Sequence, residues 1–298
     1  MWTDEFVHKM VHVFEHGMVD SVKIIPFLFV TYLIMEYLEH KTNTKTRAVI
    51  RKAGRLGPVA GGIVGAFPQC GFSAAASGLY SGGVITTGTL LAVFLSTSDE
   101  MLPIFMSEEV PVKTICVVLG LKIVLAMITG FLVDFAFRFK PSPIRYKEIH
   151  NMCESEHCKC EEGIFPSAIK HTLKIFVFVL IVTLALNMVI ELGGEEQLEH
   201  ILVDRPIVGA ILAGMVGLIP NCAASVLITQ LYLAELLSFG AMMSGLMVGA
   251  GVGVLVLFRS NRKRWKENLS ILGILYGSGV VWGILLDIVL NAMNITFI

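Results

Sequence analysis

Eight apolar stretches of about twenty residues recur along this chain, at 19–38, 57–80, 84–106, 110–137, 168–190, 206–233, 236–258 and 269–290. Each is long enough for a helix to reach across a hydrocarbon core of about 30 Å. Only helices and closed barrels satisfy their backbone polar groups in lipid, and twenty-residue runs exclude the alternating strands of a barrel. Composition agrees. Of 298 residues 55% are hydrophobic and 16% charged, where a soluble domain carries about 25% charge. The reading is an all-α polytopic membrane protein. A formal charge of −1 offers no basic surface for nucleic acid. Six scattered cysteines, three within apolar runs, do not make a disulfide scaffold.

Two of the apolar stretches contain breaks that lipid should penalise. "GAFPQCGFSAAAS" begins at Gly65 and "GLIPNCAASVLIT" at Gly217. A proline in a helix interior costs about 3 kcal/mol and removes a donor. Shifting the chain by 152 residues superposes the two motifs. Gly62, Val64, Gly65, Pro68, Cys70, Ser73, Leu79, Tyr80 and Gly88 fall on Gly214, Val216, Gly217, Pro220, Cys222, Ser225, Leu231, Tyr232 and Gly240. Nine identities in 27 positions compare with about two or three expected from composition. Gln69 faces Asn221, a further amide pair. The chain is a duplication.

Loop charge sets the orientation of the two copies. The loop 41–56 holds Lys41, Lys45, Arg47, Arg51, Lys52 and Arg55 without an acid, whereas its equivalent, 193–208, holds Glu195, Glu196, Glu199 and Asp204 against Arg205. The bias reverses further on. Glu108 and Glu109 stand where the second copy has Arg259, Arg262, Lys263 and Arg264 nearby. Basic loops stay in the cytoplasm, so equivalent loops lie on opposite faces and the repeats are inverted. Residues 57–106 then start inside and end outside while containing two apolar stretches. The simplest solution makes 57–80 a re-entrant hairpin tipped by Pro68, Gln69 and Cys70, with 84–106 crossing once. By the same logic 206–233 dips from outside, tipped by Pro220, Asn221 and Cys222. Eight spans with two hairpins and ten spans both remain open.

This organisation predicts an extracytoplasmic amphipathic segment over 1–18, repeat one over 19–140, a cytoplasmic loop over 141–168 and repeat two over 169–298. Both termini lie outside the cytoplasmic membrane of a bacterium or archaeon. The first segment lacks the apolar core of a signal peptide. It carries His8, His12 and His16 at i, i+4 and i+8, beside Glu15, fit for metal recruitment or for an interfacial helix.

Irregular backbone at membrane depth survives where protein or a watery cavity satisfies it, and paired interruptions in two halves point to a transporter's midplane site. The copies differ most where Ser96, Thr97, Ser98, Asp99 and Glu100 face the run "MVGAGVGVL" at 247–255. Intramembrane carboxylates are functional by default. Neighbouring acids on a helix diverge by about 100°, so a shared ion requires unwinding, which Pro103 favours. A structural pairing of the acids with Lys122 is the competing account. Asp99, Glu100, Ser96, Ser98, Gln69, Cys70, Asn221 and Cys222 form the candidate substrate site, with Asp99 and Glu100 as metal ligands. Glu36, Glu39 and His40 share one face of the first span, either as a cation mouth or as an interfacial anchor. His150, Cys153, His157, Cys158 and Cys160 gather borderline and soft ligands in the cytoplasmic loop. Their spacing matches no closed zinc fold, which leaves accessory metal capture or a solvated linker.

The motifs "TYLIMEYLEHK", "GPVAGGIVGAFPQCGFSAAASGLY", "TLLAVFLSTSDEMLPI" and "GLIPNCAAS" resemble the ten-helix heavy-metal exporter family, whose members are variously labelled arsenic efflux protein or manganese transporter. The resemblance spans nearly the whole chain and implies heavy-metal export. Residues and resemblance together lead to the expectation of a secondary transporter of a divalent transition-metal cation, with the outward direction implied by the resemblance and protons as the coupling ion. Oxygen and amide donors suit Mn²⁺, while Cys70 and Cys222 favour Zn²⁺, Cd²⁺ or arsenite. An arsenical permease using the thiols and a carrier of anions or small neutral solutes are the rival readings. No phosphate-binding G-x-x-x-x-G-K-[ST] loop and no H-E-x-x-H motif occurs, so no enzyme activity is expected. No cofactor is expected beyond the transported ion. The partners are the lipid bilayer and the metal, with self-association open.

Overall fold

The computed structural model describes residues 56–67, 70–98, 101–138 and 206–293, with isolated positions between 25 and 33 and between 165 and 184. The chain is all-helical there, with no strand among the described residues. Five helices come from the first half: α1 (Gly57–Gly65), α2 (Cys70–Ser81), α3 (Thr87–Ser96), α4 (Met101–Ser107) and α5 (Val112–Arg138). Five come from the second: α6 (Pro206–Gly217), α7 (Cys222–Leu233), α8 (Phe239–Val248), α9 (Val252–Ser260) and α10 (Trp265–Met293). At an offset of 152 residues α2 falls on α7, and α3 on α8, end for end.

The local chemistry explains the boundaries. Proline opens α6 and lies in the first turn of α1, where its missing N–H costs nothing. Thr86 and Ser238 cap α3 and α8, their hydroxyls accepting from Thr89 N and Ala241 N. The helix α3 stops at Thr97, whose φ/ψ of −54°/129° is extended, and Pro103 then sits in the first turn of α4. In the second half the interruption is built from glycine. Gly251 adopts φ 51° and ψ −137°, a conformation closed to L side chains. Spans Thr87–Ser107 and Phe239–Ser260 are each long enough to cross a membrane, and each is broken in the middle.

These two broken spans form the core, about three-quarters of each being buried. The unbroken helices α5 and α10 lie outside them and show apolar faces, including Phe131, Leu132 and Phe135 on one and Leu285, Ile288 and Val289 on the other. Such faces suit contact with acyl chains. The helices meet at small residues. A Cβ on Gly130 would lie 2.6 Å from Gly88 O, and one on Gly283 would lie 2.5 Å from Gly240 O, so α3–α5 and α8–α10 touch backbone to backbone.

The short helices behave as hairpins. Gly57 lies against Thr89 and Gly65 against Ser96, so α1 runs alongside α3 as far as the break. The chain then turns, and α2 returns until the Tyr80 hydroxyl is 3.3 Å from Thr87 Oγ1 at the start of α3. In the second half α6 follows α8, with Gly214 by Ser244 and Gly217 by Gly245. Its partner α7 ends with Tyr232 packed edge-on against Phe239, centroids 6.0 Å apart. Helices α1–α2 and α6–α7 thus cover the two stretches, 57–80 and 206–233, that the sequence analysis read as hairpins. The second break, at 249–251, was not anticipated from the sequence.

Each hairpin's returning arm packs against the other half. Ser77 Oγ donates to Gly253 O at 2.6 Å, tying α2 to α9, and Phe105 of α4 meets Tyr232 of α7 at 6.4 Å between centroids. Thus α3–α4 runs from the Tyr80 end toward the Tyr232 end, while α8–α9 runs the opposite way. The Tyr80 end also holds Glu267, which accepts from the Tyr80 hydroxyl and pairs with Arg264 at 3.3 Å.

Candidate functional site

The two interruptions meet the second hairpin tip around one small buried cavity. Thr97, Ser98 and Met101 line it from the first break, Gly249 and Gly251 from the second, and Asn221 and Ser225 from the tip of α6–α7. Its volume of ≈ 20 Å³ accommodates a single water-sized species rather than a hydrated ion. Ser98 and Asn221 are both buried. The Ser98 hydroxyl donates to Ser96 O at 3.1 Å, and Thr97 Oγ1 donates to Val93 O at 2.7 Å. Both hydroxyl oxygens keep lone pairs for a ligand.

The helix ends give the cavity its polarity. The helices α3 and α8 deliver their C-terminal, carbonyl-bearing ends to it, whereas α4, α7 and α9 deliver their N-termini. Carbonyl ends favour cations and amide ends favour anions. Beside it stands Lys122 of α5, fully buried. Its Nζ donates to Thr97 O, and to Leu246 O at 3.1 Å. Thr97 and Leu246 both line the cavity. The sequence marked Lys122 as a partner for the neighbouring acids; its bonds to both broken spans carried no sequence signal.

Among the residues singled out from sequence, Ser98 and Asn221 come together at the cavity. Ser96 does not reach it; it is buried behind the break, donating to Ala92 O at 2.8 Å. Cys70 and Cys222 are the first residues of α2 and α7. Asp99 and Glu100 lie between α3 and α4 in the chain and fall outside the described residues, as do Pro68 and Gln69. Also outside them are Glu36, Glu39, His40, His8, His12 and His16, and the loop set His150, Cys153, His157, Cys158 and Cys160. Among the described residues no cluster of three His, Cys, Asp or Glu could hold a metal.

A second paired feature was missed. Asp134 Oδ1 accepts from Gly88 N at 2.8 Å and its Oδ2 from Thr86 Oγ1 at 2.7 Å. Asp287 repeats this with Gly240 N and Ser238 Oγ, each at 2.7 Å. Two intramembrane carboxylates thus cap the N-termini of the broken spans.

Long apolar helices, two of them broken at a buried polar cavity, make this an α-helical membrane protein. The chain belongs to the family described as "putative, 10TM heavy-metal exporter", whose model matches it twice, over residues 11–193 and 161–296. No curated protein and no solved structure matches the chain. Family membership agrees with membrane localisation and with a transport role rather than an enzymatic one.

Proposed function

We propose that the chain is a secondary transporter that exports a divalent transition-metal cation, bound where the two breaks and the second hairpin tip converge. The observation carrying this reading is the cavity itself. It joins Thr97 and Ser98 to Asn221 and Ser225 at the carbonyl ends of α3 and α8. A divalent ion there requires compensating charge, since a bare ion in low dielectric is prohibitive. Asp99 and Glu100 adjoin the cavity-lining Ser98 in the chain and supply it; the second half has Gly251 and Val252 instead. Gln69, Cys70 and Cys222 join as supplementary ligands from the tips, and Glu100 relays protons. Glu36, Glu39 and His40, together with the soft-ligand loop at 150–160, collect metal on the cytoplasmic side.

The same reading makes the halves inverted repeats. Antiparallel α3–α4 and α8–α9 support it. So does charge: Arg259 in the last turn of α9 and Arg262, Lys263 and Arg264 just after it lie at the Tyr80 end, the end at which α1 begins, and the basic residues of 41–56 immediately precede α1 in the sequence. Counting each hairpin arm singly turns eight apolar stretches into the family's ten helices.

Purified protein in liposomes tests the assignment. Asp99→Asn keeps the shape and removes the charge, so metal uptake should vanish while the protein stays folded. Glu100→Gln should retain uptake with a flattened pH dependence. Wild-type uptake by Asp99→Asn would remove the cation site from the centre of this account. Cys70→Ser and Cys222→Ser separate the main rival, because both should be mild for Mn²⁺ and severe for arsenite or Cd²⁺.

A further inference from the structure

Lys122 is an expensive residue to place here. An ammonium taken fully out of water loses several kcal/mol of solvation, and Lys122 has no exposed surface. Packing does not demand it. Asp134 and Asp287 bind equivalent groups at an offset of 153, and the same offset carries Lys122 onto Leu275, which is equally buried. An apolar side chain therefore fills the corresponding place in the other half.

What differs is the position of the charge. Nζ donates to Thr97 O, at the C-cap of α3, and to Leu246 O, in the last turn of α8. These are the C-terminal ends of α3 and α8, at the two breaks, where carbonyls lack intrahelical donors and the helix dipoles favour positive charge. Rings of carbonyl oxygens are the usual protein replacement for the hydration shell of an alkali cation. The ammonium of Lys122 takes two carbonyl oxygens of this kind, Thr97 O and Leu246 O, held on a tether from α5 and adjoining the cavity.

We propose that Lys122 is a built-in monovalent cation. It fills a carbonyl-lined position at the crossing of the broken spans that, once vacated, accepts a small monovalent cation such as Na⁺ or methylammonium. Lys122 is thus a positioning residue that locks the two breaks together without a dissolved monovalent ion. This rests on the transport reading only for its role in turnover; the binding position stands on geometry alone.

Thermal unfolding of the purified full chain tests it, at constant ionic strength in choline, sodium or methylammonium chloride. Wild type should unfold at the same temperature in all three. Lys122→Ala should lose about 5 °C or more in choline. At least half of that should return, saturably, in sodium or methylammonium, as expected for a ligand binding only the folded state. Lys122→Met refills the volume without charge and should show no recovery. Equal unfolding of Lys122→Ala in all three salts would overturn the proposal, as would equal recovery by Lys122→Met. Failure to obtain folded Lys122→Ala even in sodium or methylammonium counts against it too, because the position should then be refilled. Liposome uptake supplies the second arm: Lys122→Ala should take up metal severalfold faster in sodium than in choline. A wild type that moves no metal, beside a sodium-rescued Lys122→Ala, would sink the transport reading and leave the cation position standing.

Discussion

Gly88 and Gly240 are the residues on which the close approach of the broken spans to α5 and α10 depends. A methyl group on either would meet a carbonyl oxygen and an aspartate of the facing helix, neither of which can yield without separating the helices. Gly88→Ala should therefore destabilise the fold by about 2–3 kcal/mol, read as a lower unfolding temperature. Gly120→Ala is the control, since a Cβ there meets nothing within 4 Å. It should be neutral or stabilising by up to about 1 kcal/mol, the helix-propensity gain. Similar losses for the two would mean that glycine matters through propensity and not contact. At this scale the sequence was readable where residues repeat at a constant offset, which exposed Cys70 with Cys222 and the paired glycines. Asp134 and Asp287 escaped for a specific reason. One extra residue between the second break and α10 shifts the register to 153, so an ungapped comparison sets Asp134 against Leu286 and hides the pair.

The elements show how those carboxylates act. Each holds the first turn of a broken span by its amide and its capping hydroxyl, fixing the start of α3 and α8 against a long unbroken neighbour. Asp287→Ala leaves Gly240 N and Ser238 Oγ without this buried acceptor and should cost about 2–3 kcal/mol; Asp134→Ala should act alike. Because either loosens a span far from the cavity, purified Asp287→Ala should lose stability while retaining metal binding where it remains folded. Loss of binding by well-folded protein would place Asp287 in the pathway. The helix pairs α1–α2 and α6–α7 were legible at this scale because the Gly-Pro-amide motifs mark where each apolar stretch is interrupted. The Gly249-Ala250-Gly251 break was not, because glycine in an apolar run is as often a packing device as a bend. Only Gly251's positive φ separates the two. The involvement of Lys122 was equally hidden, since sequence spacing says nothing about which carbonyls a lysine from another helix will reach.

At the scale of the whole molecule the interleaving of the halves, α2 on α9 and α7 on α4, ties each hairpin to the partner's broken span. The proposed inversion predicts a labelling pattern. In a background without native cysteines, Lys45→Cys and Asn261→Cys should react only from the cytoplasm, and Glu196→Cys only from outside. Reaction at 45 and 196 from the same face would contradict the inversion.

The two ends of the molecule are not built alike. At one, the Tyr80 hydroxyl is held by Thr87 and by Glu267, itself paired with Arg264; at the other, Tyr232 is packed among Phe105 and Phe239. Parting the first exchanges protein hydrogen bonds for water, whereas parting the second wets aromatic rings. The two exposures carry heat-capacity changes of opposite sign, positive for apolar area and negative for polar. Cysteine reactivity at each end, followed against temperature, should show two different slopes, and equal slopes would contradict this. The hydrophobic penalty weakens on cooling, so in the transporter proposed above the balance between opening at one end and opening at the other answers to the temperature of its surroundings as well as to its cargo.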